Sequence, residues 1–71
     1  MTALTITLTV NGDARSFPSP LSVSQLIDQL ALTGKRVALE RNGEIVPRGS
    51  FPATRLDEGD AVEIVVAVGG G

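Results

Sequence analysis

The sequence contains no cysteine, histidine, tryptophan or tyrosine. Without cysteine, neither a disulfide framework nor a thiolate metal site can support the fold. Without histidine, the chain lacks the commonest metal ligand and the commonest general acid or base. We therefore expect a protein that is not an enzyme, holds no metal and binds no cofactor of its own.

A basic surface and long apolar runs are also missing. Six Lys and Arg stand against eight Asp and Glu, for a formal net charge of −2, and two Phe are the only aromatic residues. Nucleic-acid binding usually needs a basic patch and stacking aromatics. No stretch approaches the ~20 apolar residues of a membrane span, and no signal-peptide pattern is present. We expect a cytoplasmic protein, monomeric when free, that binds neither nucleic acid nor membrane.

The 71 residues, of which 42% are hydrophobic, suit a single small domain. Residues 4–10 alternate apolar residues with threonine, which predicts a half-buried strand. Asn11-Gly12 predicts a hairpin turn, and residues 14–17 would form the return strand. Pro18 and Pro20 should end the strand pairing, because proline cannot donate a backbone hydrogen bond. The core-facing residues of the first strand would be Leu4, Ile6, Leu8 and Val10.

A short helix follows the hairpin. Ser22 and Gln25 have the spacing of a capping box. Gly34 predicts the end of a helix of about ten residues. Lys35 and Arg36 would either complement the negative end of the helix dipole or form a phosphate-binding patch. An apolar stripe for the core is formed by Val23, Leu26, Ile27 and Leu30.

The second half consists of short extended pieces and turns. They are a strand at 37–41, an Asn-Gly turn, an extended piece at 44–46, an irregular stretch at 48–56, an acidic turn at 57–60 and a final strand at 61–68. Phe51 and Leu56 should anchor the irregular stretch in the core. One helix lying across a mixed sheet of four or five strands buries every apolar face. This predicts an α+β protein of the β-grasp, or ubiquitin-like, architecture.

The acidic turn carries Asp57, Glu58 and Asp60. Three carboxylates could bind a hard cation, but the spacing of an EF-hand loop is absent. A solvated turn is the favoured interpretation, because acidic residues and glycine are typical of turns.

The C-terminal segment is the strongest candidate for a site. In the final strand Val65 and Ala67 would face outward, as an apolar patch for a partner. Gly69, Gly70 and Gly71 follow. Because glycine has no Cβ, residues 69–71 would form a thin, flexible tail after a domain at 1–68, able to enter a narrow active-site channel. A disordered end or a linker remnant is the alternative.

The sequence resembles the ThiS family, the sulfur carriers of thiamine (thiazole) biosynthesis. The resemblance rests on five motifs: Val-Asn-Gly at 10–12, Ser-Val-Ser-Gln-Leu-Ile at 22–27, Ala-Leu-Glu-Arg-Asn-Gly-Glu-Ile-Val-Pro-Arg at 38–48, Leu-Asp-Glu-Gly-Asp at 56–60 and Val-Gly-Gly-Gly at 68–71.

The resemblance implies that Gly71 is the modified residue. A ThiF-like adenylyltransferase would use ATP to form a glycyl adenylate there. A cysteine-desulfurase relay would then supply sulfur to give 1-thioglycine, which thiazole synthase would consume. Gly70 would share tail recognition, and Gly69 would lengthen the tail.

Two alternatives stay open at this point. The small sulfur-carrier subunit of molybdopterin synthase shares the Gly-Gly end but is usually longer and richer in aromatic residues. A ubiquitin-like protein modifier or interaction module would form isopeptide conjugates, or would bind partners without Gly70 and Gly71.

Overall fold

The computed structural model describes residues 5–67. Its elements in chain order are β1 (Thr5–Val10), β2 (Asp13–Pro18), β3 (Leu21–Ser22), α1 (Val23–Gln29), β4 (Val37–Arg41), β5 (Glu44–Ile45), a 3₁₀ turn (Arg48–Ser50), β6 (Arg55–Leu56) and β7 (Ala61–Val66).

Five strands form one mixed sheet in the order β2-β1-β7-β4-β5. β1 and β7 are parallel, and the other neighbours are antiparallel. β3 and β6 pair separately. The predicted mixed sheet with one main helix is confirmed.

The core lies between α1 and the inner face of the sheet. Strand alternation places Ile6, Leu8 and Val10 in it as predicted, whereas Leu4 lies outside the described residues. Phe51 and Leu56 are buried, as expected for anchors of the irregular stretch. The helix contributes its predicted stripe: Val23, Leu26 and Ile27 are buried and Leu30 is half-buried.

Both Asn-Gly pairs form the predicted hairpin turns. Asn11 and Asn42 each have a φ of 52°, and the glycines that follow have φ of 88° and 85°. Two consecutive positive φ values match the right-handed twist of the joined strands. β2 extends beyond the predicted residues 14–17, to Asp13 and Pro18. Pro18 can stand there because it is the last residue of an edge strand.

Helix α1 begins as predicted. Ser22 Oγ accepts a hydrogen bond from the Gln25 backbone N–H at 3.1 Å, and Gln25 Oε1 accepts one from the Ser22 backbone N–H at 2.8 Å. This reciprocal capping box satisfies two backbone donors at the helix start.

The end of α1 differs from the prediction. The helix has seven residues rather than about ten, its C-cap is Leu30, and Ala31 takes a φ of 59°. Gly34, which was expected to end the helix, has its positive φ in the next turn. Since no basic residue lies in the last helical turn, Lys35 and Arg36 do not complement the helix end.

Across residues 5–67, no helix is long and apolar enough to cross a membrane.

Candidate functional site

The predicted tail residues Gly69, Gly70 and Gly71 lie outside the described residues, as does Val68. The role of Gly71 as the modified residue, and the division into a domain at 1–68 and a tail at 69–71, therefore stay predictions. The structure describes the part of the molecule that leads to the tail, which is β7 and the surface around it.

β7 is the central strand of the sheet, with β1 on one side and β4 on the other. The parallel pairing with β1 covers only its start, where Thr9 is opposite Ala61 and Val10 opposite Val62. The antiparallel pairing with β4 covers all of β7 after Ala61, from Arg41 opposite Val62 to Val37 opposite Val66. β7 is therefore paired on both sides at its start and on the β4 side alone towards its end.

The side chain of Asn11 extends the contact with β7 beyond the paired residues of β1. Its Oδ1 accepts a hydrogen bond from the Ile64 backbone N–H at 2.7 Å, and its Nδ2 donates to the Ile64 carbonyl at 3.1 Å. The amide thus takes the place that a further residue of β1 would occupy.

The ladder continues past the end of β7. The Ala67 backbone N–H donates to the Arg36 carbonyl at 2.8 Å. The backbone is therefore hydrogen-bonded up to Ala67, the last described residue before the tail.

The outward-facing residues of β7 are exposed as predicted. Val65 is 67% exposed and Ala67 is exposed, while Val62 and Ile64 are buried. Alternation along a strand places one set on each face, so Val65 and Ala67 lie on the outer face, and their role as a patch for a partner stays a prediction.

The structure adds a residue to this patch. Ile45 on β5 is 75% exposed, and together with Ala38 and Val65 it lines a shallow cavity of about 130 Å³. We call Ala38, Ile45, Val65 and Ala67 the sheet patch. Ile45 was not predicted in this patch, because two apolar residues, Ile45 and Val46, follow each other in the sequence. Alternation requires one to face outward, and Val46 is the buried one.

The acidic turn is not fully solvated, so the favoured interpretation is wrong for Asp60. Asp60 is buried and accepts hydrogen bonds from Arg41 Nε at 2.8 Å, from Asn42 Nδ2 at 3.1 Å and from the Asp57 backbone N–H at 2.8 Å. Burial opposes ionisation of this carboxyl. The hydrogen bonds from Asp57, Asn42 and Arg41 outweigh that effect and hold its pKa below the ordinary value.

The same contacts argue against the cation site. The Asp60 carboxylate oxygens are occupied by protein donors, and Arg41 also pairs with Asp57 at 3.0 Å. Among residues 5–67, no group of carboxylate, histidine or cysteine side chains is arranged to hold a metal ion. The acidic turn thus connects β4 to the start of β7 through the ion pairs of Arg41 with Asp57 and Asp60.

Comparison with known proteins gives a consistent result. The ThiS family model matches residues 8–71. A thiazole synthase from Paramagnetospirillum magneticum is 41% identical over 64 residues, which is 90% of this chain but 20% of that protein. The chain therefore spans about a fifth of the length of this curated relative. The uncharacterized protein ycf40 of Porphyra purpurea is 35% identical over 66 residues, 93% of both chains.

A solved structure supports the fold directly. The crystal structure of the thiamine biosynthesis protein ThiS from Geobacter metallireducens is similar to this chain with a TM-score of 0.78 and 38% identity. The match covers 93% of this chain and 100% of that one. The predicted β-grasp fold is confirmed.

Proposed function

Since the chain belongs to the ThiS family of small sulfur carrier proteins, we propose that it carries sulfur for thiazole formation as a thiocarboxylate on Gly71. The observation that supports this most is the family match, which runs through the final glycines to Gly71. The carboxylate becomes a glycyl adenylate and then 1-thioglycine.

The chemistry explains why activation is needed. A carboxylate is a poor electrophile, so one of its oxygens first attacks the α-phosphorus of ATP and pyrophosphate leaves. A sulfur nucleophile then forms a bond to the carbonyl carbon, and AMP departs with the electrons of the broken C–O bond. If the sulfur arrives as a persulfide, a thiol reduces the acyl disulfide and releases the thiocarboxylate. The chain has no cysteine, so these steps need the groups of partner enzymes.

The described domain suits a carrier because its backbone is hydrogen-bonded up to Ala67, close to the start of the tail. The backbone of β7 is paired on both sides at its start and on the β4 side as far as Ala67. Four residues follow, 68–71, and they can reach about 13 Å when extended. Without side chains on its last three residues, the tail can enter a channel that would exclude a Cβ.

The proposal includes the partners expected from the resemblance. They are a ThiF-like adenylyltransferase that uses ATP, a cysteine-desulfurase relay and thiazole synthase. The last is supported by a thiazole synthase that contains a segment similar to this chain. The proposed setting is the cytoplasm, with a monomeric free carrier whose Val65 and Ala67 face these partners.

The alternatives receive less support. The named solved relative is a thiamine biosynthesis protein, and another relative is a thiazole synthase. Neither name points to molybdopterin synthase or to a protein modifier.

The test is the intact mass of the chain after incubation with the adenylyltransferase, ATP and a sulfur donor. We expect one oxygen atom to be exchanged for sulfur at Gly71. Gly70→Val should retain the fold but block the exchange, because a branched side chain cannot pass the channel.

The matched control is Gly49→Val. Gly49 has no neighbour that an added Cβ would meet and does not need a positive φ. This variant should be activated normally. An unmodified wild-type chain, or a Gly70→Val chain activated at the wild-type rate, would contradict the proposal.

A further inference from the structure

The cavity in the sheet patch has apolar walls and two acidic residues at its rim. Its volume is about 130 Å³. The lining residues are Ala38, Leu39, Glu40, Ile45, Glu63 and Val65. Exposed apolar surface beside two negative charges suits a partner side chain that has an apolar stem and a positively charged end.

The two acidic residues are direct cross-strand neighbours. Glu40 on β4 is opposite Glu63 on β7, and on its other side Glu40 is opposite Ile45 of β5. Like charges opposite each other on neighbouring strands destabilise a sheet. Within residues 5–67, the ion pairs involve Arg41 only, so neither Glu40 nor Glu63 has a cation from the described part of the chain.

We propose that this cavity receives an arginine side chain of thiazole synthase. The aliphatic part of the arginine lies against Ile45 and Val65, and its guanidinium lies between Glu40 and Glu63. A guanidinium is planar, weakly hydrated and able to bridge carboxylates, whereas an ammonium is a compact and strongly hydrated charge. Arginine also commonly buries its aliphatic stem on apolar surface while its head stays polar.

The position of the cavity argues for this partner. Val65 is six residues before Gly71, so the two are at most about 20 Å apart along an extended chain. An enzyme that encloses Gly71 therefore comes close to the sheet patch. Thiazole synthase is the partner class present among the relatives, where a similar segment belongs to the same chain. The inference rests on the proposed function and specifies its docking surface.

Binding of the unmodified chain to thiazole synthase from the same genome tests the inference by titration calorimetry. The variant with both Glu40→Gln and Glu63→Gln should bind at least ~10-fold more weakly, and its binding should depend less on salt. The variant with both Glu44→Gln and Asp13→Asn is the matched control: it also removes two negative charges, but neither residue lines the cavity. It should bind like the wild type.

Binding requires neither ATP nor sulfur, so this result is independent of the mass measurement on Gly71. Wild-type binding with no oxygen-to-sulfur exchange would reject the proposed function and leave the docking surface supported. Failure of the wild-type chain to bind, or unchanged binding of the double variant, would overturn the inference.

Two further measurements separate docking from folding. The double Gln variant should unfold at or above the wild-type temperature, because repulsion between two carboxylates is removed; a lower midpoint would overturn the inference. Ile45→Ala and Glu63→Gln should also be non-additive when combined, since one arginine would contact both residues. Additive losses would rule out a single shared side chain.

Discussion

Asp60 connects the acidic turn to the β4–β5 turn through its two carboxylate oxygens. One accepts from Arg41 and from the Asp57 backbone N–H, and the other accepts from Asn42. Its side chain is 9% exposed and that of Arg41 is 28% exposed, so solvent screens this pair less than a surface ion pair. Loss of the Asp60 carboxylate therefore leaves the partly buried guanidinium of Arg41 without this acceptor.

We predict that Asp60→Asn lowers the free energy of unfolding by about 2–3 kcal/mol at neutral pH, because a charged acceptor for Arg41 is lost. The pKa of Asp60 is lowered in the folded state. Its ionisation therefore stabilises the fold above the unfolded-state pKa, ~3.9, and this contribution disappears as the pH falls through the folded-state pKa.

The difference between wild type and Asp60→Asn should accordingly shrink as the pH is lowered from 5 to 2. Urea unfolding at several pH values measures it. Asp13→Asn, at an exposed position, should change the free energy of unfolding by less than ~0.5 kcal/mol at neutral pH. A difference for Asp60→Asn that does not vary with pH would contradict the interpretation.

At the scale of elements, the end of α1 shows how packing overrides a local signal. The Ala31 N–H donates to the Asp28 carbonyl and the Leu32 N–H to the Ile27 carbonyl, the two bonds of a Schellman motif. Glycine usually occupies the residue with positive φ, yet here it is Ala31. Ending the helix at this point brings Leu32 against the core.

Ala31→Gly should therefore stabilise the protein by ~0.5–1 kcal/mol. Glycine removes the conformational strain of an L-residue at positive φ. The free energy gained in this way exceeds the free energy lost because glycine makes the unfolded chain more flexible. Thermal and urea unfolding measure the gain. Ala53→Gly, in a turn where the φ of Ala53 is not positive, should instead destabilise. If both substitutions destabilise the protein, the positive φ of Ala31 does not cost the fold the strain that this prediction assumes.

At the scale of the whole molecule, the two hairpin turns hold the central strand. Asn11 binds Ile64 through both atoms of its amide, and Asn42 accepts a hydrogen bond from the Ala61 backbone N–H at 2.9 Å. Asn11 and Ile64 are 53 residues apart in sequence. The turn residues thus fix the start and middle of β7, the strand that leads to the tail.

Asn11→Gly tests this contact. Glycine retains the positive φ of the turn, so the change removes the amide without straining the turn and adds only the flexibility of glycine to the unfolded chain. The loss of two partly buried hydrogen bonds should lower the free energy of unfolding by about 1–3 kcal/mol. Hydrogen exchange at the Ile64 amide should accelerate. Asn11→Asp keeps the acceptor for the Ile64 N–H, so its free energy of unfolding should lie between those of the wild type and Asn11→Gly. Equal stability of Asn11→Gly and wild type would exclude the contact as a source of stability.

Much of this architecture could be predicted from local patterns. Alternation in residues 4–10 and 61–68 predicted two strands with their buried faces, which the described residues show at Thr5–Val10 and Ala61–Val66, and the Asn-Gly pairs predicted two turns. Ser22 and Gln25 predicted the helix start. Each of these signals acts between residues close in the chain, so no knowledge of the tertiary structure is needed.

The candidate site was predicted only in part for the same reason. Val65 and Ala67 follow from alternation within one strand. Ile45 reaches the patch only because β5 pairs with β4, and Glu40 meets Glu63 only in the register of β4 on β7. No local pattern encodes that register.

The sequence by itself determined the types of most elements, the inner and outer faces of the strands and the three glycines expected to carry the function. The tertiary structure decided where α1 ends, why Asp60 is buried and which side chains surround the sheet patch. The division has one physical cause. Periodicity and turn chemistry are set by neighbours along the chain, whereas burial and charge pairing depend on residues that folding brings together from distant positions.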